Sequence, residues 1–167
     1  MDDTSQSHRL KAADGASCGP VAVGSVTGNS REEVEDAILK AAQEDRENPQ
    51  HFNDTSFRHQ ARAVERLGRK LFKRDGTPID ARRDIPRDMQ ITPSEFDRAP
   101  AVDNFFQTNQ SEDVLLCLAC SREAGKDPHT FAVHRRYYYD NNSAGVVKTS
   151  VPDGLEAYRV VKVVAVR

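Results

Sequence analysis

The sequence predicts an α+β protein, with helices first and an antiparallel sheet after them. Three observations carry the prediction. Apolar residues recur at helical spacing until about Leu67. From Val114 onward they gather into short continuous runs rich in β-branched and aromatic types, separated by turn residues. A length of 167 residues matches one folding unit able to bury about two-thirds of its unfolded surface.

Residues 1–13 lack periodicity and read as a flexible arm ahead of a single domain over 14–167. The small-residue segment Cys18 to Val26 predicts a short buried helix, because Pro20 suits a first turn and Gly28 the position past a helix end. Ser30 and Glu33 form a capping box ahead of Val34, Ala37, Ile38 and Ala41, predicting a helix to about Asp45. Ser56 caps a third helix marked by Phe57, Ala61, Val64 and Leu67, with Gly68 as its stop. Residues 76–92, with Gly76, Pro78 and Pro86, read as a long surface loop, and Thr92, Pro93 and Glu95 open another short helix.

Three apolar runs, 114–120, 130–133 and 137–139, predict strands, with a turn at Asn141 to Gly145 and a closing strand from Tyr158 to Val166. In Tyr137-Tyr138-Tyr139 the middle ring should face away from the outer two.

Composition removes several function classes. Lys and Arg number 24 against 26 Asp and Glu, a net charge of −2 that argues against a nucleic-acid coat. No apolar run reaches the ~18 residues of a membrane span, and the polar N-terminus has no secretory signal pattern, so the expected location is cytoplasmic. Three cysteines, Cys18, Cys117 and Cys120, fit free thiols in a reducing compartment. Arg58 to Asp88 holds ten basic residues against five acids, a local excess that would suit an acidic partner on 58–87 or simply form a solvated face.

Chemistry gathers around Cys18. A thiol attacks only as thiolate, and a helix N-terminus lowers its pKa with partial positive charge and unpaired N–H groups. An activated Cys needs a base, and the base needs a third group to fix its tautomer. His129 opens a predicted strand and Asp140 ends the next, so a tight reversal at Arg135-Arg136 would return both to one end of a hairpin. His134 would go to the far end, and Asn141 is an alternative to Asp140 as the orienting group.

Taken together, Cys18-Gly19-Pro20-x-Ala22, Thr27-Gly28-x-Ser30-x-Glu32-Glu33-Val34, Ala63 to Gly68, His129-x-Phe131-Ala132-Val133 and Tyr139-Asp140 resemble the small papain-like cysteine peptidases of the C39-like bacterial and phage type. The resemblance implies a papain-like fold with Cys18 as nucleophile at the head of the central helix, His129 as base and Asp140 as third member. It implies a peptidase, isopeptidase or amidase reaction through a thioester, a protein or peptide substrate, and no cofactor. Such families often carry a Gln five or six residues before the nucleophile as an oxyanion donor; here Ala12 and Ala13 stand at those positions.

Three other readings use the same residues. The scaffold could be a catalytically silent binding module using the basic 58–87 segment, or a Cys-dependent acyltransferase or deamidase. Cys117-x-x-Cys120 with His129 and His134 has superficial zinc spacing, but in a strand positions 117 and 120 point to opposite faces, so both cysteines are expected in the core.

Overall fold

The computed structural model describes residues 10–52 and 55–167. Its elements run α1 (Cys18–Thr27), α2 (Arg31–Glu44), α3 (Phe57–Arg66), β1 (Leu71–Phe72), β2 (Pro78–Ile79), α4 (Ala81–Asp84), α5 (Pro93–Arg98), α6 (Val102–Thr108), β3 (Val114–Ser121), β4 (His129–His134), β5 (Tyr137–Tyr139) and β6 (Tyr158–Val166). The strands form one antiparallel sheet in the order β2-β1-β6-β3-β4-β5, giving an α+β architecture.

The helices start and stop for local reasons. Gly28 takes the left-handed conformation (φ 77°) and returns its N–H to the Gly24 carbonyl, closing α1. Ser30 and Glu33 complete a reciprocal capping box at the head of α2, and the Ser56 hydroxyl accepts the His59 N–H at the head of α3. α1 is buried along nearly its whole length, wedged between β4 and the pair α2 and α3.

Both faces of the sheet are covered, which explains the uninterrupted apolar run of β3. Val114, Leu116 and Leu118 join Val23, Ile38, Phe57 and Val64 in a core beneath α1, α2 and α3. Leu115, Cys117 and Ala119 face the other way and pack with Phe131, Tyr138 and the Phe105 and Phe106 rings of α6. Each fully buried large side chain contributes about 1.5–3 kcal/mol.

Several local expectations need correction. Residues 76–92 are not a plain loop: β2 and α4 lie within them, Asp80 caps α4 by accepting the Arg82 and Arg83 N–H groups, and Ile79, Ala81 and Ile85 are buried. The helix α6 was not anticipated, nor was β1, whose two residues pair with Val166 and Ala165. Of the expected N-terminal arm, residues 10–13 are docked: Leu10 is buried and the Lys11 N–H donates to the Ser25 carbonyl. Residues 1–9 of that arm lie outside the described residues.

No helix among the described residues is long and apolar enough to cross a membrane. The basic segment is largely matched within the chain. Glu44 meets Arg62, Arg66 and Arg82 at 3.1, 2.7 and 3.5 Å, and Asp45 meets Arg58 at 2.8 Å.

Candidate active site

Cys18 is the first residue of α1, and two features leave the positive end of that helix available to its thiol. Among the described residues, Ser17 at the N-cap makes no side-chain capping bond, and the first turn holds no acid. Gly19 follows, and a Cβ there would lie 2.5 Å from Gln60 Nε2, so any larger residue would have to displace that amide.

The thiol meets two groups of β4. The Thr130 N–H donates to Cys18 Sγ at 3.5 Å, and the His129 ring interacts with the thiol directly. Burial alone would raise the Cys18 pKa. The His129 hydrogen bond, the Thr130 N–H and the neighbouring imidazolium charge outweigh burial and bring it below the ordinary thiol value. Cys117 and Cys120 lack such partners, and burial pushes both upward. Of the three thiols, Cys18 is the one whose pKa is lowered.

His129 Nε2 lies 2.7 Å from Asp140 Oδ2. A carboxylate only accepts, so the Nε2–H donates and Nδ1 is left to face the thiol. The ring is held between Phe131, stacked at 6.2 Å between centroids, and Tyr158, edge-on at 6.2 Å. Burial opposes a charged imidazole, but the bonds to Asp140 and Cys18 prevail and raise its pKa to about 9. The two shifts run in opposite senses, the thiol downward and the imidazole upward, because each group favours the charged form of the other.

Asp140 is 1% exposed and surrounded by donors. Tyr138 Oη donates to Oδ2 at 2.6 Å, while the Asn142 N–H and Ser143 Oγ donate to Oδ1 at 2.8 and 3.1 Å. Burial would favour the neutral acid, yet His129, Tyr138 and the Asn142 N–H together hold the carboxyl below its usual value. A buried carboxylate is stable only when bonded in this way.

The structure brings Cys18, His129 and Asp140 together; hairpin spacing indicates only the His129–Asp140 pairing. The hairpin register Ala132↔Tyr139, Val133↔Tyr138, His134↔Tyr137 places the reversal at Arg135-Arg136, with Arg135 at φ 56°. His134 sits beside that reversal, and its Nε2 donates to the Glu112 carbonyl at 3.1 Å. Asn141 does not orient His129; its Nδ2 donates to the Ala16 carbonyl at 2.9 Å, tying the β5 turn to the loop before Cys18. Cys117 and Cys120 pack on opposite faces of the sheet, so they do not converge on a metal with His129 and His134.

Four contributors escaped sequence reasoning: Gln60, Thr130, Tyr138 and Ser143. Gln60 Oε1 accepts from Thr130 Oγ1 at 2.8 Å, and its Nε2 donates to Thr55 O and Oγ1 at 3.3 Å each. A signal existed. Phe57, Gln60, Ala61 and Val64 share one face of α3, so a polar residue occupied a core position of the helix.

Among the described residues, Asp45, Glu47 and His59 are the acid and imidazole groups close enough to share a cation, their ligand atoms lying within 4.8 Å. Arg58 at 2.8 Å from Asp45 and Arg87 at 3.9 Å from Glu47 already supply positive charge, giving the cluster the character of an ion-pair network. It does not adjoin the described triad by any bond above.

No protein-family model matches the chain, and searches of curated proteins and of solved structures find no match.

Proposed function

We propose that the chain is a thiol-dependent hydrolase of the papain-like kind, cleaving an amide bond through a thioester. The observation that carries the reading is the buried His129 ring held between the Cys18 thiol and the Asp140 carboxylate.

Cys18 Sγ attacks the substrate carbonyl carbon, and the C=O electrons move to oxygen. The unpaired backbone N–H groups in the first turn of α1 would stabilise that oxyanion. As the C–N bond breaks, the His129 Nδ1 proton passes to the leaving nitrogen, producing the amine and a thioester on Cys18. Water then attacks the thioester with His129 as base, and the acid leaves with Cys18 restored. Asp140 stays ionised throughout, fixing the ring tautomer and steadying the imidazolium.

The same residues would serve an acyltransferase or deamidase, with an amine replacing water or a side-chain amide as substrate. The rival of a silent module gripping an acidic partner through 58–87 has less support, because Glu44 and Asp45 already occupy Arg58, Arg62, Arg66 and Arg82.

Iodoacetamide at pH 6 tests the reading. A free thiol is almost wholly protonated at that pH, so a thiolate at Cys18 should alkylate on the order of 10–100-fold faster than glutathione. His129→Ala should abolish the advantage. A folded wild-type protein whose Cys18 reacts no faster than glutathione rules out the mechanism.

A further inference from the structure

Beside Cys18 lies a cavity of about 270 Å³ that the triad itself leaves empty. Its apolar walls are Phe52, Phe57, Met89, Leu118, Cys120 and Pro128. Pockets for whole small ligands usually run from about 300 Å³ upward. This one is sized for a single large side chain or a short acyl chain.

The polar atoms in the wall narrow the occupant further. Gln60 is engaged with Thr130 through its oxygen and with Thr55 through its nitrogen, and the Ser56 hydroxyl caps the His59 N–H. Gln60, Thr55 and Thr130 satisfy one another, so a polar occupant would surrender its hydration for few bonds in return. The charged members, Arg87 and Asp88, have opposite sign. Arg87 also donates to the Asp45 carbonyl at 3.3 Å and lies 3.9 Å from Glu47. No net charge is offered to a charged side chain.

We infer that this cavity is a specificity pocket for an apolar side chain or acyl group next to the bond that Cys18 attacks. The inference rests on the hydrolase reading for its biological meaning, but the pocket can be measured without any substrate. Seating such a group beside Sγ would hold the reacting carbonyl near the nucleophile, so occupancy becomes rate.

The test compares three alkylating reagents on the full chain: iodoacetamide, N-phenethyl-iodoacetamide and N-(2-carboxyethyl)-iodoacetamide. In each, Cys18 Sγ forms a bond to carbon as iodide leaves. Peptide mass mapping separates Cys18 from Cys120, and each rate is divided by that of glutathione with the same reagent. The phenethyl reagent should gain on the order of tenfold over iodoacetamide at Cys18. The carboxyethyl reagent should gain nothing. Met89→Asp, which places a charge on the pocket wall, and Cys120→Phe, which fills the pocket, should each bring the phenethyl-to-iodoacetamide ratio toward one, with folding checked by circular dichroism.

A wild-type ratio of one overturns the pocket, as does a gain that survives both substitutions or is matched by the carboxyethyl reagent. The iodoacetamide rate by itself reports the thiolate. A slow iodoacetamide reaction with a retained phenethyl gain would defeat the hydrolase reading and support the pocket, and the reverse pattern would do the opposite.

Discussion

Gly19→Ala probes the coupling between the nucleophile's helix and the polar contacts behind it. By helix propensity alone the change should stabilise by up to about 1 kcal/mol. The tertiary structure reverses the sign. The added Cβ would fall 2.5 Å from Gln60 Nε2 and 2.9 Å from its Cδ, so the Gln60 amide must move. Gln60 is 4% exposed, and moving it breaks its bonds to Thr130 and Thr55 in a place water reaches poorly. Leaving a buried amide unsatisfied costs about 1–3 kcal/mol. Set against the full propensity gain, the net expectation is a loss of up to about 2 kcal/mol, or up to about 8 °C in melting temperature for a chain of this size. Thermal denaturation by circular dichroism measures it, and the double variant with Gln60→Ala separates causes. Removing the Gln60 amide removes the clash, so Gly19→Ala should cost at least 1 kcal/mol less in that background. A melting temperature raised by Gly19→Ala, or an equal effect in both backgrounds, would refute the reasoning.

Two further outcomes follow from the site. Titration of the His129 ring by NMR should show a midpoint near 9 in the wild type and lower in Cys18→Ala, which removes the neighbouring thiolate. Because this pKa is raised by folding, its stabilising contribution is present in full below the unfolded value of ~6.5 and disappears as pH climbs through about 9. A wild-type midpoint near 6.5 contradicts the ion pair. Tyr138→Phe deletes the 2.6 Å donor to Asp140 Oδ2 and should cost about 1.5–3 kcal/mol in urea denaturation at pH 7. The Asp140 carboxyl is lowered by folding, so its contribution exists above the unfolded pKa and is lost as pH falls through the folded one. With Tyr138 Oη gone, acid unfolding should begin at a higher pH, and an unchanged acid transition would count against that role.

Much was written locally. The capping box at Ser30 and Glu33, the Ser56 cap and the left-handed Gly28 end their helices by contacts a few residues apart, so reading them requires no fold. The His129–Asp140 pairing was legible for the same reason: a two-residue reversal at Arg135-Arg136 brings them to one end of a hairpin, while Pro20 after Cys18 marks a helix head. The two-residue period of a strand also placed Cys117 and Cys120 on opposite faces.

Other features depend on partners distant in the chain. β1 is a strand because Val166 and Ala165 pair with it, and two residues alone hold no period to detect. The α4 turn hides among Gly, Pro and charged residues until Ile79, Ala81 and Ile85 find the core. Part of the apparent basic patch is matched once α2 and α3 pack and Glu44 reaches three arginines from positions 18 to 38 residues away. Gln60 stands as a polar residue on an apolar stripe, and only the approach of β4, 70 residues on, gives its oxygen the Thr130 hydroxyl. The sequence by itself determined the caps and ends of the first three helices, the opposite facing of Cys117 and Cys120, and the pairing of His129 with Asp140 across a hairpin. Tertiary packing decided which groups meet the Cys18 thiol, what surrounds Asp140 and the shape of the cavity beside Cys18, because burial and long-range hydrogen bonding set those properties and neither has a local signature.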